Sequence, residues 1–481
     1  MSTEARPQSA PVGQAAAGPP PWIALPVVLV GIFMPTLDFF IVNVAVPSIH
    51  TGLHAGDAAV QLVIAGYGVA YAAGLITGGR LGDLYGRRRV FVLGLAAFTL
   101  TSLLAGVAQN TEELIIARVL QGVAAAVVTP QVLAIITTAF TGKARTPAFN
   151  AFGLSVGLAG VFGQILGGAL IAANVDGWGW RSVFLINVPV GLVALALAPK
   201  LVPESHGEER NRLDLVGMLL VSAGLTAVVL PLVQGRQEHW PEWIWLILIA
   251  SVPLLAGFVA YEKRLGRRNG SPLIDLTLFR ERAFSAGLAI TLSYFLAMGS
   301  FFLVLALYLQ QGQGLSPLRS GLVFSTVGFG FFATSAIAPV AAARLGRQIL
   351  AVGALGVAVG YAITAETVQH LGPHGSIAWL VPGLLVAGFG MGFVTAPLSS
   401  TVLARVVPRH AAAASGALST AQEAGGALGV ALVGIVYFGQ IGHATSAHAF
   451  ALSLELLIGF CVLSALIVQF LPRTGARPDG R

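Results

Sequence analysis

The chain runs to 481 residues, 56% of them hydrophobic and only 10% charged, with a net charge of +7. Soluble domains carry roughly 25% charged residues, so this composition and a mean hydropathy of +0.82 exclude a soluble enzyme and indicate a polytopic helical membrane protein. The single cysteine, Cys461, excludes disulfide frameworks and thiolate metal sites within one chain.

Residues 1–21 are rich in Pro, Ala, Gly and Gln and lack apolar periodicity, which predicts a disordered tail. Trp22 to Pro47 is too long for the apolar core of a cleaved signal peptide and is the first predicted span. Thirteen more spans follow, at about 58–79, 89–108, 112–139, 148–172, 182–199, 213–234, 241–262, 283–310, 317–342, 348–369, 377–403, 412–438 and 448–471.

The first span contains Leu37-Asp38-Phe39-Phe40-Ile41-Val42-Asn43-Val44-Ala45-Val46-Pro47. A carboxylate at mid-span costs a few kcal/mol to insert, so Asp38 is a functional candidate, with a helix-bonded structural aspartate as the alternative. Between the second and third spans lies Gly79-Arg80-Leu81-Gly82-Asp83-Leu84-Tyr85-Gly86-Arg87-Arg88-Arg89-Val90, read as a short basic loop. Its glycines allow close approach and positive φ, and Asp83 suits a nearby helix N-terminus. The fourth span holds Arg118, the only Lys or Arg within a span. A buried guanidinium needs a partner, and Asp38 or an array of helix carbonyls would serve. In the fifth span, glycines at 153, 157, 160, 163, 167 and 168 create faces for close helix packing, and Gln164 is a buried amide that must find partners.

The two helices at about 213–262 are bounded by the charged stretches Pro203–Asp214 and Glu262–Arg282. They separate two comparable sets of six spans. Ala341-Ala342-Ala343-Arg344-Leu345-Gly346-Arg347 falls where Gly79–Val90 does in the first set, which suggests an internal repeat. Glu423 sits near the middle of the thirteenth span, where a lipid-facing carboxylate would be very rare. Gly388-Phe389-Gly390-Met391-Gly392 lies within a span and follows no strand, so it reads as packing glycine rather than a nucleotide loop. The nine histidines show no convincing ligand spacing.

Charge tests the count. With both termini cytoplasmic, 23 of the 27 Lys and Arg fall inside, and only Arg181, Arg236 and Arg319 fall outside. A missed helix would invert every later loop. The basic balance is therefore topology, and nucleic acid has no place in the reading.

Several of these stretches resemble the major facilitator superfamily and, within it, the fourteen-helix drug:proton antiporter family. Gly79–Val90 resembles the superfamily signature G-x-L-a-D-r-x-G-r-k/r-x. Leu37–Pro47 resembles L-D-x-T-I-V-N-V-A-L-P, with Phe40 in place of threonine and Val46 in place of leucine. Leu114–Gly122 is similar to l-x-x-x-R-x-x-q-G, and the fifth span is similar to the antiporter motif ending G-P-x-x-G-G, with Gln164 in place of the proline. Trp180–Gly191 resembles W-R-w-i-F-l-I-N-v-P-i-G, and Pro272–Arg280 and Tyr308–Pro317 are also family-like. The likeness spans roughly residues 22–470.

The resemblance implies an all-α membrane fold of 14 transmembrane helices with both termini cytoplasmic. The expected parts are a six-helix bundle at 22–200, a linker pair with its flanking loops at 201–282, a second bundle at 283–472 and tails at 1–21 and 473–481. It implies no enzyme and no cofactor beyond a proton gradient. The expected activity is proton-driven efflux of a lipophilic or cationic drug or antibiotic, by a monomer in the cytoplasmic membrane of a bacterium. A proton-coupled uptake symporter and a non-transporting receptor are the alternatives. Asp38, Arg118 and Glu423 are the expected proton-coupling residues. Gly79, Gly82, Asp83, Gly86, Arg87 and Arg88 form the expected gate, and Gly160, Gly163, Gln164, Gly167 and Gly168 the antiporter motif. Phe39, Phe40, Asn43, Gln121, Tyr294, Tyr308 and Glu423 are the expected cavity residues.

Overall fold

The computed structural model describes residues 22–206, 214–235, 238–268, 272–274, 276–371, 376–403, 411–441 and 444–472. The predicted tails, Asp275 and the basic residues Arg405 and Arg409 lie outside these. Fifteen helices are present among the described residues: α1 Ala24–Gly52, α2 Asp57–Tyr85, α3 Arg87–Val107, α4 Thr111–Ala139, α5 Arg145–Ala173, α6 Ser182–Leu185, α7 Asn187–Leu201, α8 Leu215–Gln234, α9 Glu242–Arg267, α10 Arg282–Leu307, α11 Pro317–Leu345, α12 Gln348–Leu371, α13 Val381–Leu403, α14 Ala411–Gln440 and α15 Ser446–Val468. The short α6 and α7 form one span broken at Ile186, and a π-turn over Tyr308–Gly312 extends α10. That makes 14 helices long and apolar enough to cross a membrane, matching the periodicity of the sequence.

Starts and stops follow local chemistry. Asn110 caps α4 by accepting from the Glu113 amide at 2.9 Å, and Ser316 precedes Pro317 at the first turn of α11. The loop predicted at Gly79–Val90 is mostly helix. α2 runs on to Tyr85, α3 begins at Arg87, and Gly86 alone breaks them at φ 99°. Gly346 repeats the device at φ 55° between α11 and α12, as the internal likeness of the two stretches suggests.

α1–α7 pack on one another, chiefly through α2 with α4, α3 with α4 and α7, and α1 with α5; α10–α15 form a second such group. The groups meet along α2 with α14, α5 with α11 and α1 with α10. Among the described residues, specific contacts cross this seam from the end opposite Arg87, Lys143, Arg267 and Arg344 to just past the helix midpoints. Gln310 donates to the Val44 carbonyl at 2.9 Å and Thr420 to the Ala72 carbonyl at 3.1 Å. Phe40 meets Phe302 edge-on at 5.2 Å. At the basic end, Trp22, Leu25, Pro26, Leu29, Val30 and Phe33 of the first helix and its approach line an open apolar cavity of about 410 Å³ with Ala151 and Ser155 of α5. α8 and α9 form a hairpin whose α8 packs on both α2 and α14.

Candidate functional site

Asp38 and Arg118 lie at the centre of the first bundle, and neither has any solvent exposure. Placing two charges there is unfavourable unless each finds partners, and the helices supply them. The Arg118 guanidinium forms an ion pair with Asp38 Oδ2. Its Nη1 also donates to Gln121 Oε1 at 2.6 Å, and its Nε donates to the Val63 carbonyl at 3.0 Å. It rests on the Tyr67 ring, 4.3 Å from the centroid, a favourable cation–π arrangement. Both partners foreseen for Arg118 are therefore used, the carboxylate and a helix carbonyl.

Asp38 Oδ1 accepts from Gln121 Nε2 at 2.9 Å and from Asn187 Nδ2 at 3.3 Å. Both amides also reach Ser102 Oγ, at 2.9 and 3.4 Å. One carboxylate thereby ties together α1, α2, α3, α4 and α7. Gln121 and Arg118 meet because three residues on a helix face the same side. Ser102 and Asn187 carried no assigned role in the sequence. Asn187 lay within a family-like string, but a lone serine in an apolar run gives no signal.

Glu423 is placed differently. It is half-buried on the seam-facing side of α14, with its own carbonyl 3.6 Å from where a Cβ on Gly68 of α2 would lie. Its carboxyl is within electrostatic reach of Tyr67 and Tyr71 and makes no hydrogen bond or ion pair among the described residues.

The fifth-span glycines serve two partners. A Cβ on Gly160 or Gly163 would meet Phe40 at 3.3 or 3.1 Å, and one on Gly167 would come 3.2 Å from the Ile41 carbonyl, so this face receives α1. On the other face, a Cβ on Gly157 would touch the Phe332 ring at 2.9 Å and one on Gly168 would touch Leu318 Cα at 2.8 Å, so α11 of the second bundle packs there. Gln164, which takes the place of proline, is 2% exposed, and both its amide atoms lack a partner.

Around Gly86, Arg87 donates to Asp83 Oδ1 at 2.8 Å. At the start of α3 the anion is Glu204 rather than Asp83: Glu204 Oε1 accepts from the Arg88 amide at 2.9 Å, complementing the helix dipole. Arg88 also reaches the Val202 carbonyl at 3.3 Å. Gly82 leaves room for the Gln131 side chain, and Gly79 faces Pro130. Arg80 turns away toward the linker and bonds the Pro272 carbonyl.

Four expected cavity residues sit elsewhere. Gln121 belongs to the Asp38 network, and Asn43 is fully buried, donating to the Phe39 carbonyl at 2.8 Å. Tyr294 and Tyr308 have no exposure: the first bonds Thr395 at 3.1 Å and the second stacks on Phe450 at 4.7 Å. Their hydroxyls find partners inside the second bundle, which frees the rings from any need for water. Phe39 and Phe40 are half-buried, and Phe40 spans the seam.

The Major Facilitator Superfamily model matches residues 28–430. The probable actinorhodin transporter of Streptomyces coelicolor is 42% identical over 90% of this chain and 76% of its own. The puromycin resistance protein pur8 of Streptomyces alboniger is 33% identical over 96% and 94%, and the drug efflux pump JefA of Mycobacterium tuberculosis is 34% identical over 86% and 80%. Among solved structures, a peptide transporter POT in complex with sulfate superposes with a TM-score of 0.69 at 16% identity, covering 95% of each chain. The partially occluded, inward-open xylose transporter XylE from E. coli gives 0.63 at 16% identity, covering 95% of this chain and 99% of its own; such identities speak for the fold alone. A chain with this fold, these motifs and these relatives belongs to the major facilitator superfamily and is a multi-pass membrane transporter, not an enzyme.

Proposed function

We propose that the protein is a proton-driven exporter of a lipophilic or cationic small molecule, such as a drug or antibiotic, acting as a monomer in the cytoplasmic membrane of a bacterium. The observation that carries this reading is the sealed Asp38–Arg118 pair. A charge pair so costly to bury, tied to five helices, suits a group whose protonation state sets how those helices pack. The names of the relatives, transporters and resistance proteins for antibiotics among them, support the direction of transport.

On this reading the basic end is cytoplasmic, by the positive-inside rule, and the contacts of Gln310 and Phe302 hold the bundles together toward the outer side. Substrate enters from the cytoplasm and meets Glu423 between the bundles. After the bundles rock, substrate leaves outward and a proton reaches Asp38. The protonated carboxyl can no longer balance Arg118, and the network relaxes by returning to the inward-facing packing, where the proton is lost. Inward proton movement supplies about 2.3 kcal/mol per charge per 100 mV.

The test is reconstitution in liposomes with a trapped pH dye, an imposed proton gradient and candidate compounds added one at a time. A compound that discharges the gradient through the wild type but not through Asp38→Asn establishes antiport and names a substrate. Equal discharge by both proteins removes Asp38 from the proton path.

A further inference from the structure

The linker hairpin carries a second carboxyl centre that the transport cycle above does not use. Asp214, 5% exposed, caps α8 by accepting from the Gly217 amide at 2.8 Å through Oδ1. Glu262, 1% exposed, comes from the far end of α9 and accepts from the Ile274 amide at 3.1 Å through Oε2. Each residue thus commits one oxygen to a backbone donor. The other two, Asp214 Oδ2 and Glu262 Oε1, converge over Gly217, and neither has a hydrogen-bond partner among the described residues. Two buried acceptors that face each other repel unless a proton lies between them.

The charges around the pair point the same way. The groups facing it are Arg80 from α2 and Tyr261 from α9, whose hydroxyl lies against Asp214. Burial lowers the Arg80 guanidinium from its ordinary value, and the charges of Asp214 and Glu262 oppose that fall. Arg80 also bonds the Pro272 carbonyl, two residues before Ile274, whose amide holds Glu262. Among the described residues, two carboxylates and this guanidinium leave one negative charge in excess, and one proton makes that cluster neutral.

We infer that Asp214 and Glu262 bind a single shared proton, and that this proton fastens the linker hairpin to α2. The site is separate from Asp38 and independent of the antiport reading. It also gives the hairpin a physical role. α8 lies against α2 of one bundle and α14 of the other, so a fastening at its base acts on one of the helix pairs that form the seam. Removing the proton leaves one uncompensated negative charge at the junction and loosens it.

The test uses the full chain in detergent or nanodiscs and needs no substrate. Infrared spectroscopy at neutral pH should show a protonated-carboxyl band that Glu262→Gln and Asp214→Asn each remove and that Asp38→Asn leaves in place. The wild-type unfolding midpoint should fall as pH is raised, because the folded protein holds a proton that the unfolded chain has released. Both amide variants should flatten that slope; they preserve shape and charge balance, and a folding failure in one leaves the other to decide. The inference is overturned if the band survives both substitutions, or if the variants keep the wild-type slope. It is equally overturned if the band is absent and Mg²⁺ or Ca²⁺ raises the wild-type midpoint at alkaline pH, since a metal ion would then fill the gap.

Discussion

Asp38→Asn isolates what the buried ion pair contributes, because asparagine keeps the shape and one acceptor oxygen while removing the charge. Arg118 retains Gln121 Oε1 and the Val63 carbonyl but loses the only carboxylate it touches among the described residues. Its Nη2 already lacks a partner. Removing one member of a buried pair costs about 3–5 kcal/mol, and the retained bonds place this case at the lower end, about 3 kcal/mol. For a cooperative unit the size of one bundle, each kcal/mol moves the unfolding midpoint by about 2–4 °C, so the expected fall is about 6–12 °C. Thermal unfolding of the purified variant, followed by tryptophan fluorescence, measures it. Asp38→Asn combined with Arg118→Gln should recover most of the loss, since the stranded charge is then gone. A single variant that melts with the wild type, or a double variant as unstable as the two losses added together, would refute the reasoning. The number also has a functional meaning. Asparagine at 38 mimics the protonated acid, so the fall estimates how much of the stability of the Asp38 network depends on the carboxylate being charged.

Two further outcomes follow from single side chains. Gly86→Ala should destabilise by about 1–3 kcal/mol, since alanine must adopt φ 99° and its Cβ would press on the Glu204 carboxylate at 2.9–3.1 Å. Gly79→Ala, inside a helix and 3.6 Å from Pro130, should be neutral or slightly stabilising, and equal midpoints for the two would show that the motif's glycines are not distinct in role. Gln164→Leu removes two unpartnered buried amide atoms and should stabilise the observed packing by about 1–3 kcal/mol. The unfolding midpoint should rise while opening of the α5–α11 contact slows, read from the accessibility of a cysteine placed at Leu318; a lower midpoint would mean that the amide is satisfied after all.

The spans were legible because twenty-residue apolar runs leave no other fold, and the pairing of Arg118 because a buried cation demands a partner. What stayed hidden were contacts between distant segments. Nothing near Ser102 or Glu204 in the sequence announces Asp38 or the α3 N-terminus, 64 and 116 residues away respectively. Gly79–Val90 was read as a loop because its charges and glycines look loop-like, yet Gly79 and Gly82 serve helix packing and only Gly86 needs the special conformation. Tyr294 and Tyr308 were placed by composition, as aromatics near the middle and end of a span. Periodicity cannot say which face of α10 meets its own bundle, because that helix is apolar all round.

The geometry separates two tasks that the sequence had merged. Among the described residues, Asp38 has no exposure and no hydrogen bond or ion pair across the seam, whereas Glu423 faces the seam without a partner. On the proposed antiport, a substrate between the bundles would not displace a proton from Asp38 by touching it, and the exchange would run through the packing of α1, α4 and α7 around the carboxylate. Side chains along the seam are then free to differ without disturbing the Asp38 network. Phe40 is the point where the two meet. It follows Asp38 by two residues on α1, lies against Gly160 and Gly163 of α5, and touches Phe302 of the second bundle. A phenylalanine there, in place of the threonine of the motif it resembles, gives α1 an aromatic contact across the seam two residues from the carboxylate.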